Sequence, residues 1–472
     1  MNSKKVVIIL VFISILFLSL IAYLTAIEVY YRDDYAQSSY NRRNIAEESK
    51  ILRGTIYDRN AKKLAYSEIN DNGVQTRYYP YKNMYSHVIG YTSQQYGKSL
   101  IEKTANADLL GKNNIGDIFN FKKLKDGNIK HGDDIHLTID HSLQKRTSEL
   151  MARYNGACVA MNPKTGEILA MVSKPDFDPS ADALQTSWAE LNESENSPFL
   201  TRATMGLYAP GSTFKVISSA LILESDLENE IINDDNGKVD FYDKSIYNAG
   251  KKAYGETDLN KAFKLSSNVY FSTLGAKIED KAFENIAKRF MFNSKLDFDF
   301  PYAKSKFQTS SMSEMDCAVA SIGQGKTLAT PLELALMTSA IANDGKMMKP
   351  YIIESVTDEN LKVLTRTKPE LMAQPVNLNI ANTIKDMMLE VVQSGTGTAA
   401  QIYGVDVCGK TGTSENELTL KDEGKTHAVF VGFAPYDNPE IAVSVVLEYA
   451  GGGGTYAAPI AREMIRNYLN NH

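Results

Sequence analysis

The stretch Tyr208-Ala-Pro-Gly-Ser212-Thr-Phe-Lys215 reads as a turn that runs into a helix. Pro210 and Gly211 mark the turn, and Ser212 opens the helix. Residues 216–223 are almost entirely apolar, which predicts a helix buried on most sides with a rigid first turn. Ser212 and Lys215 are three apart and therefore neighbours on one helix face. A hydroxyl is a weak nucleophile until a base removes its proton. A neutral lysine one turn away can do this if burial or a nearby cation lowers its pKa. Free N–H groups at a helix start also favour negative charge. The spacing alone carries little, because Ser142-Leu-Gln-Lys145 repeats it without the turn or the apolar run.

Two later stretches add polar groups. Ser266-Ser267-Asn268 lies between Lys264-Leu265 and the apolar Val269-Tyr270-Phe271. Read for function, Ser266 relays a proton and the Asn268 amide holds a substrate peptide group. Read for structure, the same residues make a helix cap or an inter-helix turn. Ser39-Tyr-Asn41 and Ser194-Glu-Asn196 share the spacing. Lys410-Thr411-Gly412-Thr413 lies on an expected strand that begins Val405-Asp-Val-Cys408. The glycine would let a ligand backbone approach, and a strand beside a groove can accept an extended peptide. Lys410 and the two threonine hydroxyls would then bind a terminal carboxylate. The plainer reading is an edge strand with a solubilising lysine. Lys164-Thr165-Gly166 is a decoy, and both Lys164 and Ser194 precede the Ser212 helix.

Ala157–Met161 and Glu167–Val172 predict a hairpin around Asn162-Pro163-Lys164-Thr165-Gly166. Val405–Thr413, Thr426–Phe433 and Ile441–Tyr449 predict three further strands, the last two joined through Asp437-Asn438-Pro439. Helical patterns lie between, over Ser212–Glu224, Pro331–Ala342 and Asn379–Val392, and a last helix is expected near Pro459–Leu469. Strands at both ends with helices between predict an antiparallel sheet closed by distant pieces of chain, an α+β domain. From Ile51 to about Asn155 short strands and turns are expected, with Asn72-Gly73 and Asp126-Gly127 as hairpin turns. His136–Ile139 predicts a strand, and Asp140 a cap for a helix starting near Ser142.

The chain has 472 residues, a formal net charge of -6, 43% hydrophobic and 23% charged residues. This is an ordinary globular balance for two to three domains, and it excludes a disordered, collagen-like or polytopic membrane chain. Mild acidity argues against nucleic acid as a partner. The 3 Cys are too far apart for a disulfide framework or a CxxC zinc site. His131, His136 and His141 fall on no common face and are read as surface residues, so no metal site is expected. Lys4 and Lys5 precede an uncharged apolar run, Val6 to Ile27, whose helical length of about 33 Å spans a bilayer core. The flanking charges favour a cytoplasmic N-terminus. The run is longer than a signal-peptide core, and Leu24-Thr25-Ala26 is a poor cleavage site, so an uncleaved anchor is expected. Glu28 to Ser49 is expected to continue it as a stalk helix.

Ser-x-x-Lys, Ser-x-Asn and Lys-Thr-Gly in this order form the penicilloyl serine transferase signature. The sequence resembles the class B penicillin-binding proteins, which are peptidoglycan D,D-transpeptidases. Arg53-Gly-Thr-Ile-Tyr-Asp58-Arg59-Asn60 is similar to the family segment after the membrane stalk, and Asp134–Gln144 to the boundary before the catalytic domain. Gly323-Gln324-Gly325 with Thr330-Pro331-Leu332, Ser394-Gly395-Thr396-Gly397-Thr398-Ala399 and Val431-Gly432-Phe433-Ala434-Pro435 extend the resemblance. It departs in its short non-catalytic N-terminal part of about 120 residues, and in leaving no stretch for a glycosyltransferase or for small C-terminal repeats. The resemblance implies a cytoplasmic tail over 1–5, a transmembrane anchor over 6–27, a stalk and small, mostly β, dimerisation-like pedestal over 28–150, and a transpeptidase domain over 151–472. Its fold would be a five-stranded antiparallel sheet flanked by helices.

The resemblance further implies that Ser212 attacks the penultimate D-Ala carbonyl of a stem peptide ending in D-Ala-D-Ala, with Lys215 as general base. Backbone N–H groups of Ser212 and Thr413 would form the oxyanion hole. Ser266, with Lys410 nearby, would protonate the departing D-Ala. Asn268, Thr411, Gly412 and Thr413 would hold the substrate. An amine from a second stem peptide would then take the acyl group, and β-lactams would acylate Ser212 as mimics. No cofactor is implied. The implied partners are the plasma membrane and a membrane-embedded glycan polymerase of SEDS type, with the catalytic domain outside the cytoplasm. The alternatives are a D,D-carboxypeptidase and a non-catalytic β-lactam sensor or assembly scaffold. No Glu-x-x-Leu-Asn pattern follows Asn268, which weighs against a hydrolytic β-lactamase. Ala320-Ser-Ile-Gly-Gln-Gly325-Lys326-Thr327 approaches a phosphate-binding loop, but Pro331 is expected to open the following helix four residues too late.

Overall fold

The computed structural model describes residues 3–31, 48, 51–70, 74–112, 130–242, 244–309, 311–414 and 426–472. The expected turns at Asn72-Gly73 and Asp126-Gly127, nearly all of the expected stalk and the Ser39-Tyr-Asn41 decoy lie outside the described residues. The apolar run forms helix α1 (Ser3–Ala26), followed by one wider turn over Ile27–Tyr31. It is the one helix among the described residues long and apolar enough to cross a membrane. Three of its hydroxyls bond within the helix: Ser14 donates to the Leu10 carbonyl (2.9 Å), Ser19 to Leu16 (2.8 Å) and Thr25 to Ile21 (2.8 Å). A helix in hydrocarbon needs this internal pairing, because no water is there to supply partners.

The N-terminal part is built around a six-stranded sheet. Its order is Val363–Arg366, Ile353–Thr357, Asp134–Leu137, Ile56–Tyr57, Lys63–Ile69, Gln75–Tyr78. Two of these strands come from beyond residue 350, so the sheet draws chain from both sides of position 150. Asp140 caps the helix His141–Leu150 by accepting from the Leu143 N–H (2.8 Å), as its position suggested. Two of the histidines differ from expectation. His136 stacks on Tyr57 (5.0 Å) and His141 packs on Tyr81 (4.4 Å), so both are half-buried among tyrosines.

The larger part is organised by an antiparallel five-stranded sheet. In chain order its elements are strand β1 (Gly156–Met161), strand β2 (Ile168–Lys174), helix α2 (Lys215–Glu224), helix α3 (Leu259–Leu265), helix α4 (Asn268–Gly275), helix α5 (Pro331–Ala342), helix α6 (Leu378–Ser394), strand β3 (Cys408–Ser414), strand β4 (His427–Ala434), strand β5 (Ile441–Leu447) and helix α7 (Gly453–Asn471). The strand order is β2-β1-β5-β4-β3. In the central strands alternate residues enter two different cores. Val159 and Met161 join the core containing α2 and α5, whereas Cys158 and Ala160 join the core under α7. Covered on both faces, β1, β4 and β5 read as nearly continuous apolar runs rather than alternating ones.

Several element boundaries differ from the sequence reading by one to six residues, two of them beside the Lys410 strand. Strand β3 begins at Cys408, not at Val405. Helix α7 begins at Gly453, well before Pro459. A side chain at Gly453 would lie 2.1 Å from the Val429 carbonyl oxygen and 2.3 Å from that of Gly412. The absence of a side chain there lets the helix backbone start directly on the sheet.

Candidate active site

A single 3-10 turn, Gly211–Phe214, leads into α2, whose residues Lys215 to Ile222 are all buried. Gly211 has φ +53°, and a Cβ there would lie 2.5 Å from the Thr413 carbonyl oxygen, so only glycine fits this turn against β3. The turn is braced from behind by the Gly211 N–H, which donates to the Gly323 carbonyl (3.0 Å). The phosphate-loop look-alike thus follows a helix, Glu314–Ser321, and packs on the Ser212 turn, while Pro331 opens α5 with Thr330 as its cap.

Three separated stretches converge on Ser212. The Lys215 Nζ lies 3.0 Å from Ser212 Oγ, 2.8 Å from the Ser266 carbonyl oxygen, 3.3 Å from Ser266 Oγ and 2.7 Å from Asn268 Oδ1. The Lys410 Nζ donates to Ser266 Oγ (2.9 Å) and to the Thr411 carbonyl (3.2 Å). Ser266 Oγ therefore sits between two amines. Both readings of the Ser-x-Asn stretch hold here. Ser267 caps α4 by accepting from the Tyr270 N–H (3.2 Å), while Ser266 ends α3 in the left-handed region at φ +59°. That bend directs the Ser266 carbonyl and the Asn268 side chain to the same nitrogen.

Proton counting defines what Lys215 can do. The Ser266 carbonyl and Asn268 Oδ1 can only accept. Asn268 is held in that orientation because its Nδ2 donates to the Tyr247 carbonyl (2.8 Å). A neutral amine has two hydrogens, which these two acceptors can take, and its lone pair can then accept from the nearer hydroxyl, that of Ser212 at 3.0 Å against 3.3 Å for Ser266. The surroundings favour that neutral form. Complete burial, and secondarily the charge of Lys410, hold Lys215 well below the usual lysine range. Burial likewise brings Lys410 down to about 7. The Phe271 and Phe263 rings, each 5.5 Å from one of the nitrogens, favour the charged forms. They do not offset the loss of water.

Strand β3 is an edge strand, but its lysine is fully buried and serves no solubilising purpose. Thr411 is buried with Oγ1 2.6 Å from Thr396 Oγ1, and Thr413 is exposed. A Cβ at Gly412 would lie 3.0 Å from both the Pro210 carbonyl oxygen and Thr213 Cγ2, so the missing side chain lets the strand lie against the Ser212 turn. Ser142 bonds to Asn467 and Asn471 away from this cluster, and Lys164 lies in the β1–β2 turn. Sequence reasoning missed Asn248 and the Tyr247 carbonyl, which no motif marks. Thr396 lies within a quoted family segment but was given no role there.

The same arrangement of elements occurs in known proteins. The family described as penicillin binding protein transpeptidase domain matches residues 156–466, and the penicillin binding protein A dimerisation domain matches residues 53–135. The chain is 30% identical to the peptidoglycan D,D-transpeptidase PbpA of Mycolicibacterium smegmatis, over 96% of each protein. Penicillin-binding protein A of M. tuberculosis, solved as a ceftriaxone acyl-enzyme complex, is 28% identical with a TM-score of 0.85, over 90% of this chain and 99% of that one. A D,D-transpeptidase domain from Eggerthella lenta is 33% identical with a TM-score of 0.79, over 89% of this chain and 99% of that one. The chain belongs to the penicillin-binding transpeptidase family, in its class B branch. Its enzymatic class is that of a peptidoglycan D,D-transpeptidase.

Proposed function

We propose that the chain cross-links peptidoglycan through an acyl-enzyme on Ser212, and that β-lactams are trapped at the same hydroxyl. The observation that carries this reading is the 3.0 Å contact between Ser212 Oγ and the Nζ of a fully buried lysine, which also lies within 2.8 Å of the Ser266 carbonyl oxygen and of Asn268 Oδ1. Lys215 takes the Ser212 proton as Oγ bonds to the penultimate D-Ala carbonyl carbon. The oxyanion is met by the backbone N–H groups of Ser212 and Thr413. The C–N bond to the terminal D-Ala then breaks, with its nitrogen protonated through Ser266, which Lys410 touches. Asn268 orients the donor, and Thr411 and Thr413 hold the terminal carboxylate. Gly412 serves by letting the strand lie against the nucleophile turn. An amine of a second stem peptide attacks the ester, forms the cross-link and frees Ser212.

In this reading residues 1–5 lie in the cytoplasm and 6–27 anchor the chain in the plasma membrane. Residues 28–150 form stalk and pedestal, and 151–472 act outside the cytoplasm. The anchor and pedestal would engage a membrane-embedded SEDS-type glycan polymerase. The test is labelling of the full chain in detergent with a fluorescent penicillin, and mass spectrometry of the labelled peptide. Ser212→Ala abolishes the label and Ser142→Ala keeps it. Label retained in Ser212→Ala would refute the assignment. Incubation with a donor peptide and an added amine separates cross-linking from a carboxypeptidase, which would yield only the hydrolysed donor.

A further inference from the structure

Asn248 lies outside all three motifs, yet its side-chain amide is buried beside the site and bonded at both ends. It is 3% exposed. Its Oδ1 accepts from the N–H of Asn268 (2.8 Å), the N–H of Val269 (3.0 Å) and the hydroxyl of Ser267 (3.3 Å). Its Nδ2 donates to Asp234 Oδ2 (2.6 Å) and to the Lys252 carbonyl (2.8 Å). A backbone N–H only donates, and a carboxylate or carbonyl only accepts. The amide can therefore sit in one orientation alone. Asp234 is itself 2% exposed and is held by the Gly237 N–H (2.8 Å).

The preceding residue completes a clamp. The Tyr247 carbonyl takes the Asn268 side-chain N–H at 2.8 Å, which turns Asn268 Oδ1 toward Lys215. Positions 247 and 248 thus hold Asn268 by both its side chain and its backbone. Ser267 caps α4 through the Tyr270 N–H, and Asn248 Oδ1 takes the two helix-end N–H groups before it, one of them that of Asn268 itself. What Asn248 adds is the placement of Asn268, one of the two acceptors that leave the Lys215 lone pair for Ser212.

We propose that Asn248, backed by Asp234, is a positioning residue for acylation, acting on Ser212 through Asn268 and Lys215. The inference rests on the acyl-enzyme reading above. It attributes to Asn248 an effect on the chemical step and not on initial binding of the acyl donor.

The test follows acylation of the full chain in detergent by a fluorescent penicillin, separating non-covalent affinity from the acylation rate constant. Asn248→Ala lowers the rate constant about tenfold or more and leaves initial affinity within about threefold. Asn248→Asp sets a carboxylate oxygen against both Asp234 and the Lys252 carbonyl and lowers it similarly. In an Asn268→Ala background, the same change at Asn248 lowers the rate constant by less than about threefold further, because its effect passes through Asn268. If Asn248→Ala does not fold, Asn248→Asp takes its place in both comparisons. A parental rate constant in the Asn248 variant, a loss confined to affinity, or an undiminished further loss in the Asn268→Ala background overturns the proposal. Absence of label on Ser212 in the parent chain would instead overturn the acyl-enzyme reading.

Discussion

Replacing Lys410 with Met tests whether that residue acts on Lys215 through its charge. The two Nζ atoms lie 2.9 Å and 3.3 Å from the same Ser266 oxygen, so they are at most 6.2 Å apart. At about 6 Å and an effective dielectric constant of about 20, two full charges repel by about 3 kcal/mol. That corresponds to somewhat over a hundredfold in the protonation equilibrium of Lys215. Lys410, brought down to about 7 by burial, is charged about half the time near neutral pH. The expected displacement of that equilibrium is therefore roughly tenfold to a hundredfold. The sign follows from the cause. Removing a neighbouring cation favours the ammonium form of Lys215, so its pKa rises and the free base is lost over a wider acid range. The acid limb of the pH–acylation profile moves to higher pH, measured as the acylation rate constant with a fluorescent penicillin from roughly pH 5 to pH 9. A lower plateau with an unmoved limb would refute the electrostatic argument and leave Lys410 with a contact role alone.

Further outcomes follow from packing and burial. Gly453→Ala forces its new methyl group onto two carbonyl oxygens and lowers stability by about 3 kcal/mol or more, read by thermal denaturation. Gly404→Ala, at φ +78° with open space around it, costs only about 1–2 kcal/mol. Glu333 is fully buried on α5 with Oε1 unpartnered, and burial raises its carboxyl to about 8. A carboxyl raised in the folded state loses stability as pH climbs from the ordinary carboxylate range through that value. Glu333→Gln therefore flattens the fall in melting temperature between about pH 5 and pH 9, and an unchanged pH dependence would refute this. Trp188 is the single tryptophan, and Tyr96 stacks on it at 3.9 Å, joining the N-terminal part to the helix Ala181–Glu193. Tyr96→Ala shifts the Trp188 emission to the red and costs about 0.5–1.5 kcal/mol, and an unshifted spectrum would contradict the stacking.

Much of the local structure is legible in the sequence. Pro331 with Thr330 before it marks the start of α5, and Asp140 marks its helix cap. The hairpin of β1 and β2 follows from apolar runs around a Pro/Gly turn. The start of α7 is hidden, because Gly453 and Gly454 read as loop until the sheet beneath them is known. The Ser-x-Asn stretch shows the same limit. Its capping role is local and can be foreseen, but the left-handed bend at Ser266 has meaning only beside Lys215.

From the sequence alone come the long apolar N-terminal helix, the succession of strands and helices, and the three-residue spacing that sets Lys215 beside Ser212. These depend on neighbours a few positions apart. The tertiary structure alone decides that Ser266 and Lys410, 144 positions apart, share a hydrogen bond. It also decides that Gly412 makes room for the Ser212 turn, and that Asn248 grips Asn268. Above all it decides how far burial lowers the pKa of the two lysines, because exclusion of water depends on everything packed around an amine and not on its place in the chain.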